Sequence, residues 1–213
     1  MDPVTAVLRG VPMTLYLTFG AFVIGAVGGL PLALALRSGA WPVRIVSRLF
    51  VDFVRGVPII VWLFVLKFGL AGEGIRFTPL TAGVIGLGLV SAAYLAEIYR
   101  GGLQTVPVGQ LEAANALGLS RSVTFRRVIA PQAFRIVSPT VATYLMGLFK
   151  DSSIASTIIV GEIVFQAQSY ARQHPTAVGI IPYIVAGLIY IVLSIPVAYY
   201  SRKLDRRMRA EIY

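Results

Sequence analysis

Residues 14–36, TLYLTFGAFVIGAVGGLPLALAL, carry no charged side chain. At a helical rise of about 1.5 Å per residue, such a run crosses the roughly 30 Å of hydrocarbon in a bilayer. A soluble domain has no place for an apolar cylinder of that length. A cleaved signal peptide is the competing reading, but its apolar stretch is only about 7 to 15 residues and follows a cationic cluster that is missing here. The run is therefore expected to be a transmembrane helix of the working protein.

The rest of the chain repeats the pattern. It is 57% hydrophobic and 13% charged, with a mean hydropathy of +0.80. Further apolar runs lie at 57–72 (with Lys67 inside it), 79–96, 137–165 and 177–200. The fourth is interrupted by Lys150, Asp151, Ser152 and Ser153. The third is rich in Gly83, Gly86, Gly88, Ala92 and Ala93, small residues that let helices approach closely in a membrane. The expected fold class is an all-α membrane protein, a single domain over 1–213 with five transmembrane helices. One long polar loop, 97–136, joins spans three and four. Within it, GQLEAANALG at 109–118 has the composition of a short helix that Gly118 would stop, and a second helix would kink or end near Pro131.

The net charge of +10 does not point to nucleic acid, because the basic residues are not interleaved with aromatics on one face. They lie between the apolar runs. Arg37, Arg44, Arg48 and Arg55 fall in one segment, Arg100, Arg121, Arg126, Arg127 and Arg135 in the long loop, and Arg202, Lys203, Arg206, Arg207 and Arg209 in the tail. Only Arg9, Arg76 and Arg172 fall on the opposite side. Five spans with the N-terminus outside and the C-terminus in the cytoplasm satisfy the positive-inside rule.

Several chemistries are excluded at this level. There is no cysteine for a disulfide or thiolate site, and the single histidine, His174, is expected to be a solvated loop residue rather than a metal ligand. No Gly-Lys pair exists, so the chain has no phosphate-binding loop of the Walker type. No catalytic triad or paired-carboxylate arrangement emerges. A pump built on this chain must take its energy from another subunit.

The long loop carries the most specific pattern. EAANALGLSRSVTFRRVIAPQAF, at 112–134, resembles the cytoplasmic signature of ABC importer permeases. DFVRGVPIIVWLF at 52–64, AYLAEIYRGGLQTVPVGQ at 93–110 and FKDSSIASTI at 149–158 are similar to the polar amino acid uptake branch of that family. The resemblance implies a permease of the bacterial cytoplasmic membrane whose 109–118 segment is a coupling helix. Glu112, Ala113, Ala114, Leu117 and Gly118 would contact a cytoplasmic ATPase. It also implies the partners: a second permease subunit, two ABC ATPase subunits that bind ATP and Mg, and an extracytoplasmic amino-acid-binding protein. No cofactor is expected in this chain itself. A self-contained carrier or channel driven by an ion gradient is the alternative, but no internal repeat supports it and it has no use for the 97–136 loop.

Ionisable groups at membrane depth cost at least about 2.5 kcal/mol on insertion scales, so they mark cavities or partners. If the cargo is a zwitterion, Asp151 or Glu162 would take its ammonium and Lys150 or Arg55 its carboxylate, with Ser152 and Ser153 supplying hydroxyls. The competing reading is that Lys150 and Asp151 cap a short helix. Glu97 and Arg100, at the cytoplasmic end of span three, are candidates for a gate or for pairing with each other. Lys67 is expected to snorkel to the outer interface.

Overall fold

The computed structural model describes residues 2–175 and 179–210. The chain is helical throughout: α1 (Pro3–Leu8), α2 (Val11–Leu36), α3 (Trp41–Gly56) and α4 (Ile59–Phe64), a π-helical turn Val65–Gly69, then α5 (Leu70–Gly72), α6 (Pro79–Thr105), α7 (Val108–Ala116) and α8 (Arg121–Thr124). A second π-helical turn, Phe125–Ile129, leads into α9 (Ala130–Asp151), a 3-10 segment Ser152–Ile158, α10 (Ile163–Gln173) and α11 (Ile181–Ala210). Among the described residues, Pro3–Leu36, Pro79–Thr105 and Ile181–Lys203 are each long and apolar enough to cross a membrane. Trp41–Gly56 and Ile59–Gly72 pass the same test together but meet at 95°. Residues 177 and 178, where the fifth run was expected to begin, lie outside the described residues.

The core is the pairing of α2 with α6. Both helices present small residues to each other: an added methyl at Gly25 would lie 2.3 Å from Ser91 Cβ, and one at Gly29 would lie 3.1 Å from the Ala92 carbonyl. In hydrocarbon there is no hydrophobic gain from pairing apolar helices, so this close backbone approach is what holds them together. Thr14 and Thr18 on α2 are fully buried, and their hydroxyls donate to the carbonyls of Gly10 (3.1 Å) and Thr14 (2.8 Å), so neither is left unsatisfied. Gly25→Ala overpacks this seam, at about 1–3 kcal/mol. It is expected to lower the melting temperature of detergent-purified protein by several degrees, whereas Gly187→Ala, with open space around it, leaves it unchanged. Equal melting of both variants would contradict the assigned seam.

The structure adds one helix and corrects two expectations. The basic segment before span two is a helix, because Arg44, Arg48, Asp52 and Arg55 recur at helical spacing and share one face of α3. The bend into α4 falls at Val57, held extended (φ −92°, ψ 130°) as the residue before Pro58 must be. Next, the 97–136 loop is much shorter than expected. Helix α6 runs on through Glu97 and Arg100 to Thr105, and α9 has begun by Ala130. Charge interrupts hydropathy without interrupting a helix when the groups pair, as Glu97 and Arg100 do at i,i+3.

Finally, Lys150 and Asp151 do not break a span in half. They form the last turn of a continuous 22-residue helix, α9, that starts seven positions before the expected Val137. The polar residues there end a helix and hand the chain to a 3-10 segment. Ile159 follows in the left-handed region (φ 67°), the one non-glycine residue so placed among those described. That reversal turns the chain back over the end of α9 and into α10.

Candidate functional site

Helix α7 is the expected loop helix, and its end is built by its sequence. Gly118 adopts φ +68°, and the Gly118 and Leu119 amides donate to the carbonyls of Asn115 and Ala114, each at 3.0 Å. This Schellman arrangement satisfies the carbonyls that the helix end would otherwise orphan. Ser120 then caps α8 by accepting from the Val123 amide at 3.4 Å. Of the loop residues predicted to act, Ala114 alone is buried, against the body of the protein. Glu112, Ala113, Leu117 and Gly118 are exposed. Val108, Leu111, Glu112 and Asn115 share one helical face, and Val108 is 69% and Leu117 78% exposed. A hydrogen bond from Gln132 Nε2 on α9 to Gln110 Oε1 (3.1 Å) ties this helix to the membrane body.

A second cluster lies where α3 meets α6. Glu97 accepts from Arg48 at 2.6 Å through one oxygen and from Arg100 Nε (2.9 Å) and Nη2 (2.6 Å) through the other. Arg100 also donates to Gln104 at 2.8 Å. The expected Glu97 and Arg100 pairing is present. Arg48, which hydropathy could not single out, joins it because α3 is folded back along α6.

The proposed cargo residues do not converge on one spot. Lys150 and Ser153 line a groove of about 290 Å³ together with Val164, Tyr183 and Tyr190. Asp151 is half-buried and is not part of that lining, and Ser152 is fully buried with its hydroxyl donating to the Phe149 carbonyl at 2.7 Å. Arg55 is elsewhere: its guanidinium lies over the Tyr94 ring, 4.9 Å from the centroid.

Glu162, a candidate for the cargo ammonium, has a structural role. It is fully buried, and its carboxylate accepts from the amides of Val164 (3.0 Å) and Phe165 (2.7 Å) and from the Tyr190 hydroxyl (2.9 Å). It caps α10 and fastens α11 to it. Glu162→Ala strands those donors at about 1–3 kcal/mol each, so the melting temperature is expected to drop by several degrees, and by less for Glu162→Gln, which keeps an acceptor oxygen. A melting curve identical to wild type for Glu162→Ala would remove this assignment.

Two other expectations shift in detail. His174 is half-buried and stacks on Tyr170 at 4.4 Å rather than standing in solvent. Lys67 donates to the Phe77 carbonyl at 3.0 Å, bracing the turn after α5.

The description "binding-protein-dependent transport system inner membrane component" matches residues 25–210. The chain belongs to that family. This inner membrane component is 39% identical over 207 residues to the probable amino-acid ABC transporter permease protein YckA of Bacillus subtilis, covering 94% of this chain and 88% of that one. It is 32% identical over 205 residues to the arginine transport system permease protein ArtQ of the same organism, covering 96% and 93%. A solved structure described as an amino acid ABC transporter with histidines superposes with a TM-score of 0.89 at 34% identity, covering 95% of this chain and 94% of that chain. The permease is thus an integral inner-membrane protein and a component of a transport system.

Proposed function

We propose that this permease is the membrane half of an ATP-driven importer of a polar amino acid, with α7 as the helix through which separate ATPase subunits drive it. The observation that carries the reading is the exposed face of α7. Val108 and Leu111 share a face with Glu112, and exposed Leu117 follows, on a helix whose end is fixed by Gly118 and which is tied to α9. Apolar side chains on a rigid, polar-rimmed projection outside the apolar runs are what a protein partner covers. Motion imposed there passes through Gln110 and Gln132 to α9.

In this reading five spans cross the membrane: α2, the bent α3–α4 unit, α6, α9 and α11, the 22 residues of α9 being about 33 Å long. The basic segments then face the cytoplasm, the N-terminus the outside. One chain of five helices encloses little, so a second permease subunit completes the path, and an extracytoplasmic binding protein delivers the cargo. The groove at the end of α9 receives it, with Lys150 opposite the carboxylate and the Ser153 hydroxyl beside it. The Arg48, Glu97 and Arg100 cluster closes the cytoplasmic end.

The chain has no cysteine, so a single Leu117→Cys reports on this surface without background. In the complex assembled with its ATPase subunits, that thiol is expected to be shielded from a water-soluble maleimide and to be labelled in the permease alone. Equal labelling in both states would remove α7 as the docking helix.

A further inference from the structure

Helix α6 between Ala82 and Ala96 is packed on nearly every side, with one exception: Tyr94 is exposed. It stands at membrane depth, one turn (about 4.5 Å) inward of Glu97. The Arg55 guanidinium lies over its ring, at 4.9 Å, and the ring stacks on Tyr144, centroids 5.8 Å apart and planes 23° from parallel. The Tyr144 hydroxyl donates to Ser91, which is fully buried, at 2.9 Å. The result is a ladder of polar aromatic groups running from the core of the bundle to an open cation.

Arg55 makes no close ion pair of its own: the carboxylate it acts on, Glu97, is shared with Arg48 and Arg100, three cations to one anion. Among the described residues the ion pairs are those of Arg48 and Arg100 with Glu97. One carboxylate shared among three guanidiniums leaves the Arg55 end of the cluster, where the Tyr94 ring face is the other support, under-compensated. Its planar fork fits a carboxylate in bidentate fashion. A lipid-facing surface has no use for two phenols and a serine in register, whereas the wall of a route for a polar solute does.

We infer that Arg55, Tyr94 and Tyr144 form an inner cargo station, in which Arg55 takes the α-carboxylate of a transported amino acid and the Tyr94 ring holds the guanidinium until that carboxylate arrives. The station is separate from the groove at Lys150. It lies between that groove and the Glu97 cluster, so cargo released from the first meets Arg55 before the cytoplasmic end. This inference rests on the reading of the cargo as an amino acid.

The test uses the nucleotide-free complex of permease and ATPase subunits. The standard L-amino acid that binds the wild type most tightly is compared with its own α-carboxamide by equilibrium binding. Wild type is expected to prefer the acid by about tenfold or more. Arg55→Gln is expected to lower the ratio several-fold, leaving the part contributed at Lys150, and Arg55→Lys to lower it less. A ratio is insensitive to the fraction of folded protein, so partial misfolding does not mimic the result. Retention of the full preference by Arg55→Gln, or its loss in Lys150→Gln alone, overturns the inner station while leaving amino-acid import intact. Failure of every amino acid to bind the wild type would instead remove the cargo reading itself.

Discussion

Glu112→Lys is expected to reduce ATP-driven uptake at least tenfold while leaving the permease folded and inserted. Glu112 is exposed on α7, and its carboxylate makes no hydrogen bond or ion pair among the described residues. Changing it therefore costs stability little, within about 0.5 kcal/mol for a surface position of this kind. At a docking surface the same change sets a cation where a carboxylate belongs. Like-charge juxtaposition across an interface costs several kcal/mol, and each 1.4 kcal/mol is about tenfold in affinity. The measurement is uptake of radiolabelled amino acid into vesicles, with thermal unfolding of the purified variant alongside. Wild-type uptake by Glu112→Lys would show that the helix receives no partner.

The second large effect concerns the groove at the end of α9. Lys150→Gln is expected to raise the KM for uptake by tenfold or more. Two roles compete for this residue, and the measurement separates them. As a cation in the last turn of α9, Lys150 stabilises the helix end by about 0.3–1 kcal/mol. If that were its only role, Lys150→Gln would lower the melting temperature slightly and leave KM unchanged. A cargo-binding role predicts the reverse, because a carboxylate in a groove of about 290 Å³ has Lys150 as its lining cation.

The parts of this fold legible in the sequence are those where one physical signal acts alone. An uncharged run such as 14–36 has to be a long helix, and Gly118 after an alanine-rich segment has to stop one, because a left-handed residue is needed there. The loop signature around Glu112 was equally plain. Sequence reasoning failed where two signals compete. Hydropathy placed an end at Glu97, yet the helix continues because Arg48 and Arg100 neutralise that carboxylate, and Arg48 lies 49 positions away. For Lys150 to Ser153 hydropathy left two readings open, a break within a span or the end of a helix, and the structure shows the second, with α9 ending at Asp151.

The structural role of Glu162 was not legible because an isolated carboxylate in an apolar run gives no hint that two amides and a phenol will meet it. Tyr94 was overlooked for a related reason. An aromatic residue in a transmembrane segment is unremarkable until its neighbours turn out to be packed and it alone stands open. Its pairing with Arg55 depends on the 95° turn at Val57 and Pro58, which brings the end of α3 beside α6. The dipeptide signalled a bend, but not its direction.

The central claim is that this permease moves its cargo only when an ATPase docks on α7. Co-reconstitution into proteoliposomes tests it directly: the permease alone, and the permease with ATPase subunits, ATP inside and binding protein outside, with accumulation of labelled amino acid as the readout. Accumulation is predicted only in the second preparation, abolished by Glu112→Lys. Accumulation by the permease alone under an imposed ion gradient would contradict the account and return the chain to the class of gradient-driven carriers.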